Sequence, residues 1–366
     1  MDAGVERGRL VYLSAPQRIE FQEYDLPEPE PGGVLVKVVR ANVCGSELHI
    51  WKGLHPTVKR CVMGHEMVGR VHRLGEGVQT DYAGRPLAVG DRIVAAYFLT
   101  CRKCRACRRG QFNLCENAYR YWMQPPSTAP HFHGTFGTHY VIHPDQYVYQ
   151  VPDRVPDAIA SFANCALAQV YYGLDQAALA MGETLVIQGA GGLGLAAIAV
   201  AKERGARVLA IDGVQYRLDA ALAFGADEII DLREYHTAEE RAAEVLRLTE
   251  DWGADVGIEL TGVPAAFAEG ITLVRPGGRY VSIGNVSPGQ LTPFDPGLLN
   301  RRQVRIIPVI RYQPWYLLKV LHLLAATIDR YPWGELVDTD FALTDVARAL
   351  EQSERREVRR ASLVMP

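Results

Sequence analysis

From about residue 165 onward the chain alternates short apolar runs with longer segments of helical period. The runs lie at 185–187, in a stretch that ends on Asp212, and at 228–231, 255–260, 279–284 and 304–310, and helical segments, notably 237–251 and 264–273, separate most of them. Six strands with crossover helices predict a doubly wound parallel sheet. Residues 1–150 read differently. Short β-type runs such as 34–39, 67–72 and 92–96 stand among Gly and Pro without a helical period of any length, which predicts an irregular all-β domain. The C-terminal stretch carries two amphipathic helical runs, 315–329 and 344–355, then a strand-like tail at 361–365, and is expected to return to the first domain. No internal repeat is visible.

The most informative stretch is 184–212, TLVIQGAGGLGLAAIAVAKERGARVLAID. An apolar strand runs into Gly189, Gly191, Gly192, Leu193 and Gly194, then into an Ala-rich helix and a second strand closed by Asp212, 18 positions after Gly194. Glycines in this order permit a tight turn, a close backbone approach to a pyrophosphate, and tight packing of helix on sheet. The helix N-terminus adds free N–H groups and partial positive charge for phosphates. A carboxylate at 212 can accept both ribose hydroxyls and repels a 2′-phosphate, which favours NAD over NADP.

A length of 366 residues suggests two domains. A formal charge of −3 and an isoelectric point near 6.4 give no reason to expect nucleic acid or an anionic membrane as partner. The N-terminus lacks the apolar run of a signal peptide, and no later stretch is long enough to span a bilayer, so a cytoplasmic location is expected. Seven cysteines in such a compartment suggest metal more than disulfides.

Four of them form Cys101-x-x-Cys104-x-x-Cys107-x7-Cys115. Two-residue gaps let neighbouring thiolates converge on one tetrahedral ion, and a closed four-sulfur site serves to fix a lobe with little core of its own. An iron–sulfur cluster or a pair of disulfides are the alternatives, but the gap before the fourth Cys is longer than in a ferredoxin run and no Pro follows it. Interleaved Arg102, Lys103, Arg105, Arg108 and Arg109 offset the charge of a zinc tetrathiolate. Cys44, His65 and Cys165 can together supply two thiolates and an imidazole to a second zinc, although spacing alone does not join them. Aromatics at 119, 121, 122, 132 and 136 either wall a substrate site or cover the metal lobe, while the irregularly spaced His131, His133 and His139 are expected to be solvated or hydrogen-bonded.

The glycine turn, the Cys44 and His65 clusters and the four-cysteine lobe resemble, in order and spacing, the zinc-dependent medium-chain alcohol dehydrogenases, and the resemblance covers essentially the whole chain. It implies an α/β two-domain protein. A GroES-like irregular β-barrel catalytic domain would occupy 1–164, with its structural zinc lobe at 98–120, and be completed by 309–366; a Rossmann domain would span 165–308, with the active site in the cleft between them. Two zinc ions follow: Cys44, His65 and Cys165 hold the catalytic one, and Cys101, Cys104, Cys107 and Cys115 the structural one. Ser46 and His49 are similar to a proton relay that passes through the nicotinamide ribose. Glu66 matches the acidic residue beside the metal, and Tyr97 an aromatic position facing substrate. Glu47 stands where the family has an aspartate, one methylene shorter, that orients the histidine ligand. Arg217 matches a basic residue near the ribose, which can also hold a 2′-phosphate, and Arg360, or its neighbour Arg359, resembles a pyrophosphate contact.

These parts imply transfer of a hydride between an alcohol and NAD, with a secondary alcohol, bulky or cyclic, as the expected substrate. The alternatives are a polyol or amino alcohol, or a zinc-independent quinone or enoyl reductase. The family's habit of pairing through edge strands of its Rossmann sheets implies a homodimer or homotetramer.

Overall fold

The strand Val34–Asn42 is the hub of the N-terminal architecture in the computed structural model, which describes residues 5–56, 58–285 and 288–366. Its sequence, VLVKVVRAN, is apolar at most positions because neighbours cover both faces. It pairs antiparallel with Glu66–Leu74 on one side, and with His139–Ile142 and Ala361–Val364 on the other. Thr339–Ala342, Arg92–Ala95 and Val148–Gln150 complete a seven-stranded sheet, and a three-stranded sheet built on Arg7–Ala15 lies in the same unit. The register sets up the chemistry. Asn42 faces Glu66 on one neighbour and Ser362 on the other, so three strand ends bring Cys44, His65 and Arg360 to one place.

The described chain divides into two compact units. The first comprises 1–165, 313–328 and 333–366; the second comprises 166–312 and 329–332. The C-terminal tail joins the first unit through the strand Ala361–Val364.

The second unit contains a six-stranded parallel sheet. Taken from one edge, its strands are Glu228–Asp231, Arg207–Asp212, Thr184–Gln188, Ala254–Glu259, Val274–Ser282 and Arg305–Pro308. Numbered in chain order this is 3-2-1-4-5-6, the doubly wound Rossmann order, and the strand order reverses at Thr184–Gln188, which leads into the glycine turn. No described helix is long and apolar enough to cross a membrane.

Two local expectations are corrected. Residues 1–150 do contain an α-helix, Gly45–Trp51, too short to show a period and started by Glu47, whose Oε2 accepts from the Cys44 backbone N–H at 3.0 Å. The strand expected at 279–284 begins at Val274. The Gly277–Gly278 pair lies inside it as an irregularity, with Ala254 opposite Val274 but Val256 opposite Arg279, and Gly277 takes a left-handed φ of 70° to loop out.

The helix Pro264–Leu273 sits against this sheet through Gly270, where an added Cβ would lie 2.0 Å from the hydroxyl oxygen of fully buried Tyr280. Gly270→Ala is therefore expected to destabilise the protein by about 1–3 kcal/mol in denaturant unfolding. Unchanged stability would show that Tyr280 has room to move.

Candidate active site and cofactor turn

Four side chains from three separate parts of the first unit meet in its interior. Cys44 caps the helix Gly45–Trp51; His65 and Glu66 stand at the start of Glu66–Leu74; Cys165 lies in a π-helical turn, Ala163–Leu167. All four are buried, and one donor atom from each lies within 4.8 Å of the others. His65 Nε2 is 3.3 Å from Cys165 Sγ, and the two sulfurs are 3.9 Å apart. A tetrahedral zinc with ordinary bond lengths separates its sulfurs by roughly 3.8 Å, and sulfur from nitrogen by roughly 3.6 Å. The donor set therefore fits a zinc ion without rebuilding.

The surroundings orient these donors. The other ring nitrogen of His65, Nδ1, bonds Glu47 Oε1, so the longer acid at 47 still reaches the histidine while its second oxygen caps the helix. Glu66 Oε2 accepts from Asn42 Nδ2 at 3.2 Å and pairs with the Arg360 guanidinium, but Glu66 Oε1 is buried with no hydrogen-bond partner among the described residues. An orphaned carboxylate oxygen beside two thiols and an imidazole is what a cation would satisfy. Asn164, next to Cys165, donates to the carbonyls of His65 and Ala95, both at 2.9 Å. Ser161 accepts from Asn42 at 2.8 Å. Sequence reading missed Asn42, Ser161 and Asn164, because amides and hydroxyls carry no motif until the fold brings them together.

Without a cation the protons are divided unevenly. Cys44 is held well below the ordinary thiol value, first by the hydrogen bond from Cys165 and then by His65, while Cys165 is pushed well above it by the same bond and by burial. Burial works against a charged His65, but Glu47 and Cys44 outweigh it and raise its pKa. Burial lifts Glu66 to about 7 against the pull of Arg360.

Ser46 and His49 lie on the same short helix, three residues apart and so on one face. Ser46 Oγ donates to Cys44 Sγ at 3.4 Å. The Tyr97 and Trp122 rings stand 5.0 and 5.1 Å from the His65 ring, centroid to centroid, and Tyr119 packs edge-on against Trp122. Part of the aromatic segment thus reaches this cluster, whereas Phe132 and Phe136 are core residues.

The four lobe cysteines converge as a second group, again with one donor each within 4.8 Å, and none is in a disulfide. Cys104 N–H donates to Cys101 Sγ, Cys107 N–H to Cys104 Sγ and Cys101 N–H to Cys115 Sγ, each at 3.4 Å. Asn117 Nδ2 donates to Cys101 Sγ at 3.3 Å. Backbone donors aimed at sulfur are the setting a thiolate needs.

In the second unit Gly189 has a φ of 97°, and Gly191 precedes the helix Gly192–Glu203, which includes Leu193 and Gly194. Asp212 holds the turn in place: Oδ2 accepts from Ala190 N at 2.8 Å, and Oδ1 from Gly213 N and Val214 N at 2.8 and 3.0 Å. A carboxylate has about four acceptor sites. Three are used here, leaving capacity for about one ribose hydroxyl bond rather than the two expected. Arg217 Nη1 lies 3.7 Å from Asp212 Oδ2. Sequence reading also missed Glu259, fully buried at the end of its strand, whose Oε1 accepts from Thr261 N and Gly262 N at 2.7 Å and whose Oε2 accepts from Asn285 at 2.9 Å. The only signal was an acid near the end of an otherwise apolar run. Arg360 is placed beside Glu66, and Arg359 pairs with Glu335 at 2.8 Å.

Comparison with known proteins decides the family. Residues 30–153 match the alcohol dehydrogenase GroES-like domain, and residues 192–326 the zinc-binding dehydrogenase family. The chain is 33% identical to 5-exo-hydroxycamphor dehydrogenase of Pseudomonas putida over 351 residues, covering 95% of this chain and 96% of that one. The chain belongs to the zinc-dependent medium-chain alcohol dehydrogenase family. Sorbitol dehydrogenase of Bacillus subtilis is 29% identical over 92% of this chain and 91% of its own length. An alcohol dehydrogenase from Thermotoga maritima superposes with a TM-score of 0.92 at 29% identity, covering 99% of this chain and all of that one. The first unit is thus GroES-like and the second Rossmann-like. The protein is an oxidoreductase that acts on CH–OH groups of small molecules with a nicotinamide cofactor, in a family that binds zinc.

The glycine turn yields a direct check. A Cβ on Gly194 would lie 2.1 Å from the Gly189 carbonyl oxygen, a backbone atom that cannot step aside. Gly194→Ala is expected to weaken cofactor binding by about tenfold or more, measured by NADH fluorescence titration. Unaltered affinity would mean that the turn does not carry the pyrophosphate.

Proposed function

We propose that this protein is a zinc-dependent, NAD-linked dehydrogenase of secondary alcohols, with two zinc ions per chain. The observation that carries the reading is the convergence of Cys44, His65 and Cys165 at tetrahedral zinc spacing, with the far nitrogen of His65 held by Glu47. When bound, zinc would polarise the alcohol oxygen as a Lewis acid, and NAD would accept the hydride. The chain's own work is to place donors, hold charge and move a proton. Two thiolates offset the ion's charge, Glu47 fixes the imidazole's tautomer, and Asn164 ties the Cys165 turn to the His65 backbone. Ser46 is the first acceptor for the alcohol's proton. His49 receives it: burial, with Lys52 adding, keeps its pKa below the ordinary 6.5, which makes the ring a neutral base at pH 7.

NAD is favoured over NADP because Asp212 keeps a lone pair for a ribose hydroxyl and repels a 2′-phosphate, while the charge of Arg217 is spent on Asp212. Gly189, Gly191, Gly192, Leu193 and Gly194 would cradle the pyrophosphate, and Arg360 is the proposed further contact to it. The four lobe cysteines hold the second zinc. A bulky or cyclic alcohol is supported by the Tyr97 and Trp122 rings beside His65 and by the hydroxycamphor dehydrogenase among the relatives. A polyol or amino alcohol is the second reading, favoured by the sorbitol and L-threonine 3-dehydrogenases among them, the Pyrococcus horikoshii enzyme being 34% identical over 75% of this chain. The protein would work in the cytoplasm as a homodimer or homotetramer.

Turnover of cyclohexanol, sorbitol and threonine, read as NADH absorbance, separates the two substrate classes. Cys44→Ser is expected to abolish turnover and to lose one of the two zinc ions, leaving that of the Cys101 lobe. Full activity in this variant, or a wild type with a single zinc that vanishes when the lobe cysteines are removed, overturns the reading.

The pH profile tests the relay. A histidine with a lowered pKa is neutral above that value and becomes protonated as pH falls through it, which removes the base. Alcohol oxidation should therefore decline on the acid side with an inflection below 6.5, and His49→Gln should lower kcat and flatten that limb. An unchanged limb in the variant would assign the base elsewhere.

A further inference from the structure

Apart from the two cysteine-containing groups, a third cluster of metal-ligating side chains lies in the first unit. One donor atom from each of Glu6, His72 and His139 lies within 4.8 Å of the others. Nothing in the proposed reaction uses these residues, and they are far apart in sequence. Glu6 immediately precedes the strand Arg7–Ala15; its backbone carbonyl is fixed by Leu26 N–H at 2.8 Å, and its Oε2 lies 3.0 Å from His72 Nε2.

The fold produces the cluster through an irregularity. Leu35 pairs with Arg73 and Val36 with Val71, so His72 is the extra residue of a β-bulge, a device that re-aims a side chain. On the opposite side of the same central strand, His139 pairs with Lys37. The two rings meet edge to face, with centroids 5.1 Å apart.

The decisive atom is His139 Nε2. His139 is only 5% exposed, and this nitrogen has no hydrogen-bond partner among the described residues. Nδ1 lies 3.0 Å from Thr138 Oγ1, which accepts from the Arg9 backbone N–H at 3.0 Å and lies 3.4 Å from the Arg9 carbonyl. Whichever of the two carries the shared proton, Nδ1 is tied to this hydroxyl, and Nε2 is left as a buried polar atom with nothing to meet it. A partner that fixes one ring nitrogen and leaves the other to face a ligand is how metal-binding histidines are held. A hydrogen-bonded histidine pair alone leaves that nitrogen unexplained.

We propose that Glu6, His72 and His139 form an additional zinc-class metal site, two imidazoles and one carboxylate with a position open to water, that pins the start of the first strand to the bulged sheet. Such a donor set suits zinc and its first-row neighbours. Tetrahedral zinc holds nitrogen and oxygen donors roughly 3.4 Å apart. The Glu6–His72 pair is already closer than this, and the pairs with His139 lie within 4.8 Å. Two cations stand nearby and oppose the ion. Lys37 is the cross-strand neighbour of His139, and Arg73 donates to Glu6 Oε2 at 3.2 Å. Arg73 is not stranded by metal binding, because Nη1 also reaches Glu28 at 3.2 Å and the Pro27 carbonyl at 3.4 Å.

The test starts from the full-length protein already replete with zinc, titrated with zinc chloride by calorimetry and equilibrium dialysis. One further equivalent should bind at micromolar free zinc and raise the melting temperature. His72→Gln, at a half-buried bulge residue, should weaken that binding by about tenfold or more. His139→Gln should do the same, and if it unfolds, His72→Gln and Glu6→Gln decide. The readout is the difference between wild type and these variants, so it does not depend on whether Cys44, His65 and Cys165 hold zinc, and alcohol turnover should be unchanged in His72→Gln. Failure to bind the extra equivalent, or an extra equivalent that His72→Gln and Glu6→Gln both retain at wild-type affinity, overturns the proposal.

Discussion

The first unit is organised around a concentration of buried charge. Two thiols, two carboxylates, an imidazole and a guanidinium, from Cys44, Cys165, Glu47, Glu66, His65 and Arg360, share one interior volume, and all six residues are at least nine-tenths buried. Ionising every acid there with Arg360 as the sole permanent cation would leave an uncompensated net negative charge, which a low-dielectric interior does not tolerate. In the absence of metal the protein meets this by holding protons: one shared between the sulfurs, one on or near His65, and a Glu66 carboxyl lifted to about 7. A dication would do the same work, releasing those protons while leaving the donors where they stand. Metal binding and proton release are thereby linked. The orphaned Glu66 Oε1 is the visible residue of that unfinished neutralisation.

This cluster needs rigid delivery, and the sheet supplies it. Because Asn42 is paired with both Glu66 and Ser362, the positions of Cys44, His65 and Arg360 are fixed by backbone ladders rather than by loops. Glu47 arrives from outside the sheet on the helix Gly45–Trp51, and Cys165 on a π-helical turn, an element commonly found at functional sites. Asn164 compensates by bonding that turn to the His65 and Ala95 carbonyls, and Ser161 by its bond to Asn42. The second unit solves a separate problem by local means. Its turn needs no buried charge beyond Asp212, which closes the loop by accepting from the backbone on both sides of it.

What the sequence disclosed follows the range of the interactions. The glycine turn and the four-cysteine lobe were legible because their chemistry is contained in a few consecutive turns of chain. So were the parallel strands, whose apolar runs reflect burial on both faces. Cys44, His65 and Cys165 were joined only by family resemblance, since a ligand set spread over more than a hundred residues has no local signature. The helix Gly45–Trp51 escaped because seven residues cannot display a period, although its capping acid, Glu47, was in view. Glu259 was hidden for the opposite reason, as a charged residue inside an apolar run whose partners are backbone amides. The Glu6, His72 and His139 cluster depends on a one-residue bulge, a feature that neither composition nor periodicity records.

The two cysteine centres show how one side-chain chemistry is set to different ends by its surroundings. In the lobe, sulfur charge is drawn off by backbone amides: Cys101, Cys104 and Cys115 each accept a backbone N–H, and Cys101 accepts Asn117 as well. Hydrogen-bonded thiolates are weaker electron donors and sit in a closed set of four, an arrangement suited to holding an ion permanently and to nothing else. In the interior cluster the contacts to sulfur come from other reactive groups: Ser46 to Cys44, His65 to Cys165, and sulfur to sulfur. Two sulfurs and an imidazole meet there, and beside them stands the Glu66 carboxylate, one of whose oxygens is already committed to Arg360 and Asn42. The difference between the two centres thus lies less in the cysteines than in what surrounds each sulfur.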